Sequence, residues 1–162
     1  MTSFQALYER YAPDVFRFAL YLSGNRAHAE DITSETFVRA WTSSEKIRVG
    51  TVKAYLFTIA RNLYRELLRK ESRRVELIHE LQDPGPRPDE IAGNRSDLQA
   101  TLEALQKLPE AERTALLMRA QEALSHEEIA AAPGVSVAAA KVRIHRARLS
   151  LKKLLGERRD TR

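Results

Sequence analysis

The side chains that most often carry covalent chemistry are sparse in this chain and poorly spaced for it. Cysteine is absent, which removes a thiolate nucleophile, a thiolate zinc site, an iron–sulfur cluster and any disulfide framework. The four histidines, His28, His79, His126 and His145, are scattered, with no metal-ligand spacing and no partnered nucleophile. Glu30 and Asp31 adjoin, but neighbouring helical residues point apart and do not form an acid–base pair. The six glycines (Gly24, Gly50, Gly85, Gly93, Gly134, Gly156) never form a phosphate-cradling loop. These patterns predict no enzyme activity, no metal and no cofactor.

Positive charge is the chemistry the chain does concentrate. Lys and Arg total 27 against 22 Asp and Glu, a net +5. Residues 1–75 hold 13 basic and 8 acidic side chains, residues 76–95 hold 2 and 5, and residues 96–162 hold 12 and 9. Two basic blocks therefore flank an acidic connector. Within them, Arg61 to Arg74 carries 6 basic and 2 acidic residues, and Lys141 to Arg162 carries 9 and 2. A single stretch of this kind is ordinarily a solvated helix face. Two clusters of one sign on separate helices favour a polyanion, of which nucleic acid is the usual one.

The elements that must position these charges read as helices. Thr2 with Gln5 forms a capping box, and Phe4, Leu7, Tyr8, Tyr11, Val15, Phe18, Ala19 and Leu22 recur at helical spacing, with Pro13 predicting a kink or two short helices. Asn25 caps a second helix, Arg26 to Trp41, with Ala29, Ile32, Thr36, Phe37, Ala40 and Trp41 inward. Thr42 to Thr51 reads as a loop. A third helix, from Val52 to about Arg74, turns Tyr55, Leu56, Ile59, Ala60, Leu63 and Leu67 inward and Arg61, Asn62, Arg65, Arg69 and Lys70 outward.

Asp83 to Glu90 holds three prolines and a glycine, which predicts a linker. Beyond it, Ser96 opens a fourth helix through Leu105. Pro109 starts a fifth, with Leu116, Leu117 and Ala120 as its core. Ser125 and Glu128 form a capping box for a short helix, Glu127 to Ala131. Pro133-Gly134 turns the chain, and Ser136 caps a last helix to about Leu155. No segment alternates as a strand does. The reading is all-α: two small helical domains, residues 1–75 and 96–162, joined by the linker 76–95. No apolar run approaches the roughly 20 residues that span a bilayer, and the first residues lack a signal-peptide pattern. A soluble, cytoplasmic protein without membrane insertion is expected.

A short capped helix, a tight turn and a longer basic helix outline a helix-turn-helix. Its residues are Leu108-Pro109-Glu110-Ala111-Glu112-Arg113, Ser125 to Ala130, Pro133 to Ser136, and Ala140 to Arg148. This set resembles the C-terminal DNA-binding region of bacterial extracytoplasmic-function (ECF) sigma factors of the sigma-70 family. Ala29 to Trp41 resembles their polymerase-binding segment. Tyr55 to Leu63, with Arg69 and Arg73-Arg74, resembles their promoter-melting helix. The likeness covers nearly the whole chain in the same order. The chain departs from the family pattern at Ser34, where glutamine is usual, at Tyr55 and Pro133, and at Ala138-Ala139-Ala140.

The resemblance implies a division of labour. Asp31, Ser34, Glu35 and Val38 would dock on the clamp helices of the largest subunit of RNA polymerase core. Lys53, Arg61, Asn62, Arg65 and Arg69, with the loop Thr42–Thr51, would hold the unwound −10 strand of promoter DNA. Lys141, Val142, Arg143, His145 and Arg146 would serve the −35 duplex. An anti-sigma factor is an expected further partner. Two other readings stay open on sequence: a sigma-like decoy that binds an anti-sigma protein, and a helix-turn-helix regulator that never joins polymerase.

Overall fold

A computed structural model describes residues 3–42, 51–79 and 96–160, and among them it contains α-helices and no strand. The loop expected at Thr42–Thr51 and the linker around Asp83–Asp89 fall almost wholly outside the described residues. The helices are α1 (Phe4–Ser23), α2 (Arg26–Thr42), α3 (Val52–His79), α4 (Asp97–Gln106), α5 (Glu110–Ala120), α6 (His126–Ala131) and α7 (Val137–Asp160).

Local chemistry sets their ends. Ser3, rather than Thr2, caps α1, accepting from the Ala6 N–H at 3.1 Å. Pro13 lies inside α1 without dividing it. Pro13 is exposed, as is Glu9, whose carbonyl loses the N–H that a proline cannot offer. Gly24 closes α1 at φ +68, a left-handed conformation that costs glycine nothing. Asn25 caps α2 through the His28 N–H at 2.9 Å, and Thr51 caps α3 through Ala54. The third helix passes Arg74 and runs to His79, through residues assigned on sequence to the linker.

The turn of the helix-turn-helix closes despite its proline. Pro133 has no N–H to continue the ladder of α6, and Gly134 adopts φ +74. Gly134 then donates back to Ala131 at 3.2 Å and Val135 to Ala130 at 3.0 Å, the paired closure of a Schellman motif. The capping box is present in full, with Ser125 and Glu128 bonding reciprocally at 3.0 and 3.1 Å.

In the N-terminal half α1, α2 and α3 pack together, and in the C-terminal half α4, α5 and α6 pack around α7. Phe18 and Phe57 meet edge to face at 4.9 Å in the first bundle, each fully buried. Ala140, Ile144 and Ala147 form the buried stripe of α7. Two inward assignments differ. Trp41 is 54% exposed, resting edge-on against Phe4 at 5.2 Å. Ala120 is exposed, and Ala115, Leu116, Leu117 and Met118 form the core of α5 instead.

The two halves also pack against each other, α1 meeting α4 and α5, and the buried apolar side chains of both form one continuous core. Phe57 and Tyr64 are buried as well as the predicted stripe, because α3 has neighbours on both sides.

Candidate nucleic-acid interface

Along α3 the basic residues sit one to two turns apart, which keeps them near one face. Lys53 and Arg61 are half-buried, whereas Asn62, Arg65 and Arg69 are exposed. Arg61 Nη1 donates to Asn62 Oδ1 at 2.8 Å and to the Ala132 carbonyl at 3.4 Å. Burial, above all, holds its guanidinium below the ordinary arginine value, with Arg65 and Arg143 adding like-charge repulsion and Glu110 opposing them. An arginine so placed remains charged.

On α7, Lys141, Val142, His145 and Arg146 are exposed and Arg143 is half-buried. Ser136 caps the helix through the Ala139 N–H at 3.1 Å. Ala138 is exposed beside it, so the first turn presents backbone and methyl groups with little side-chain bulk. A helix entering a major groove needs that slimness at its N-terminal end.

On α2, Asp31, Ser34, Glu35 and Val38 are exposed together, and Val38 is 53% exposed. They border a groove of about 490 Å³ between α2 and α3, closed on the far side by Leu63, Glu66, Leu67 and Lys70. Arg39 ties its walls together, donating to both carboxylate oxygens of Glu66 at 3.3 and 3.2 Å and lying 3.5 Å from Glu35. These hydrogen bonds pull the Glu66 carboxyl below its ordinary range and raise Arg39.

Two family models match these surfaces: "Sigma-70 region 2" over residues 7–74 and "Sigma-70, region 4" over residues 98–151. The ECF RNA polymerase sigma factor SigE of Mycolicibacterium smegmatis is 37% identical over 97% of this chain, which spans 63% of that protein. The RNA polymerase sigma factor CarQ of Myxococcus xanthus is 36% identical, with 96% of this chain and 90% of CarQ covered. This chain belongs to the ECF sigma factors. It is a transcription initiation factor. The sigma factor RpoE of Bartonella quintana, solved in complex with the anti-sigma factor NepR, superimposes with a TM-score of 0.80 at 30% identity. That match covers 96% of this chain and 98% of the other. Among the described residues no helix of this sigma factor is long and apolar enough to cross a membrane.

The structure brings Arg61 and Arg143, one from each basic block, to a single small crevice that Glu110 and Pro133 also line. It leaves Asn62, Arg69, Lys141, His145 and Arg146 open to solvent. Sequence reasoning missed the residues that join the halves: Gln106, Glu110, Arg113 and Glu122. Arg113 offered a signal, being a charge that adjoins the fully buried run Thr114–Met118. Glu122 offered none, because periodicity does not reach the short turn it occupies.

Proposed function

We propose that this sigma factor binds RNA polymerase core through the α2 face of Asp31, Ser34, Glu35 and Val38, and promoter DNA through its two basic helices. It works in the cytoplasm, by binding alone, without a catalytic step of its own. The α3 face of Lys53, Arg61, Asn62, Arg65 and Arg69 takes the unwound −10 strand. Opening DNA requires contacts that only a single strand can make, and exposed polar groups beside arginines supply them. The α7 residues Lys141, Val142, Arg143, His145 and Arg146 meet the −35 duplex. An anti-sigma factor completes the set of partners. The carrying observation is the pair of basic faces, one on the region 2 helix α3 and one on the region 4 helix α7.

Transcription with purified core polymerase tests the division of labour. Asn62→Ala is expected to leave −35 duplex binding intact and to reduce open complexes, read by permanganate reactivity of thymines near the start site. Arg146→Ala is expected to weaken −35 binding and to leave melting normal once the promoter is bound. The reverse pattern would exchange the two roles and sink the reading.

A further inference from the structure

We propose that this sigma factor inhibits itself: in the unbound chain, Glu110 and Glu122 of the C-terminal half occupy the basic face of α3 that the −10 strand needs. The inference rests on the assignment of that face to DNA.

Glu122 is the central observation. It lies in the turn after α5, is 1% exposed, and reaches out of its own half. Arg17 Nη2 of α1 lies 3.2 Å from one carboxylate oxygen and Lys53 Nζ of α3 lies 3.3 Å from the other. A buried carboxylate is tolerated only when such partners compensate for its lost water, so this charge has its place only while the halves are together. The backbone beside it is strained to the same end: Ala123 adopts φ +52, uncommon for a residue with a Cβ.

Other contacts close the same face. Glu110 Oε2 lies 3.9 Å from Arg65 Nε, and the Ala132 carbonyl accepts from Arg61. Lys53, Arg61 and Arg65, three of the groups assigned to the −10 strand, are therefore engaged by acceptors of the C-terminal half. Gln106 Nε2 donates to the Tyr21 and Leu22 carbonyls at 3.3 and 3.1 Å, so the end of α1 is capped from across the interface. Gly24 allows this approach, since a Cβ there would stand 3.0 Å from the Gln106 side chain.

Geometry makes the closed form incompatible with a promoter. Elements at −10 and −35 lie about 25 base pairs apart, which is about 85 Å of duplex. Arg61 and Arg143, one for each element, line one crevice of about 10 Å³. One closed molecule cannot reach both elements. The polymerase-facing residues of α2 remain exposed, so polymerase can engage the closed chain first and separate its halves.

The absence of cysteine makes the test direct. Spin labels on Ala27→Cys and Lys152→Cys, both exposed positions, report the separation of the halves. Fluorescence anisotropy with a labelled −10 single strand reports access to α3. The parent chain is expected to give one short distance. Glu122→Gln is expected to lengthen it and to tighten strand binding about tenfold, because a closed population lowers apparent affinity in proportion. Glu127→Gln, an exposed carboxylate on α6, makes the same charge change and is expected to do neither. Gln106→Ala breaks contacts across the interface without changing the charge of the chain and is expected to act in the same direction, with far-UV circular dichroism confirming the fold. Long distances in the parent chain would overturn the proposal. So would strand binding in Glu122→Gln no tighter than in Glu127→Gln, provided Arg61→Ala still weakens it. If Arg61→Ala has no effect on strand binding in the opened chain, the −10 assignment fails instead.

Discussion

Arg113 and Leu22 are 91 residues apart in the chain, and Arg113 Nη1 donates to the Leu22 carbonyl at 2.7 Å. The same guanidinium donates to the Tyr64 hydroxyl of α3, to Gln106 Oε1 at 3.2 Å and, through Nη2, to the Leu108 carbonyl at 3.1 Å. It thus positions α5, the end of α1 and the middle of α3 with one planar fork. A cation beside the last carbonyls of a helix also complements its dipole.

Removing that fork strands several buried acceptors at once. Arg113→Ala is expected to lower the unfolding free energy by about 3 kcal/mol, measured by urea titration. Arg113→Lys keeps the charge, but its single nitrogen, with three donors, cannot span the four acceptors that the two guanidinium nitrogens reach, so it should recover less than half of the loss. Equal stability of the lysine variant and the parent would show that charge alone matters there.

The polymerase face can be tested without disturbing the fold. Glu35 is exposed and its pairing with Arg39 spans one turn of α2, a kind of contact that contributes little to stability. Glu35→Arg should leave the melting temperature close to that of the parent chain and weaken binding to core polymerase by about tenfold or more, through reversed charge at the interface. Biolayer interferometry with immobilised core reads this, and unchanged affinity would remove Glu35 from the contact.

On α7 the two exposed cations Lys141 and Arg146 are expected to behave differently. Lys141→Ala should weaken all duplexes alike and reduce the salt dependence of binding by about one phosphate contact. Arg146→Ala should relax preference at one −35 position, where a bidentate base contact contributes about 1–3 kcal/mol of discrimination. Duplex titrations at several salt concentrations, with single-position promoter variants, separate the two. A uniform effect of both substitutions would place both residues on phosphate.

Acid should loosen the start of the helix-turn-helix. The Glu128 carboxyl is held below its ordinary value of 4.5, first by the Ser125 backbone N–H and then by the Thr51 hydroxyl and N–H. Thr51 Oγ1 lies 2.9 Å from Glu128 Oε2, linking α6 to the start of α3. A carboxyl depressed in the folded state stabilises above its unfolded value, and this contribution fades as pH falls through the folded value. The melting-temperature advantage of the parent over Glu128→Gln should therefore be present at pH 7 and shrink at pH 4. A constant difference would show that the hydrogen bonds survive protonation.

Local signals in the amino-acid sequence determined the seven helices of the described residues, because their causes are local. Asn25, Ser96, Ser125 and Ser136 are caps in the sequence and caps in the structure, each satisfying an N–H within three residues. The two basic faces followed from spacing alone. At Pro13 the sequence left a kink or two short helices open, and α1 runs through it as one element, because packing along the rest of the helix outweighs the one hydrogen bond a proline removes. Trp41 misled: a helical period assigns a residue to a side, but neighbouring helices decide where the covered surface stops. The joining of the halves could not be read in advance. Gln106, Arg113 and Glu122 are polar groups whose partners stand 85, 91 and 105 residues away, and a buried charge is recognised only once the opposing groups are known. That is why the basic faces were legible in the sequence, while the closure of the α3 face against carboxylates of the other half belonged to the tertiary structure.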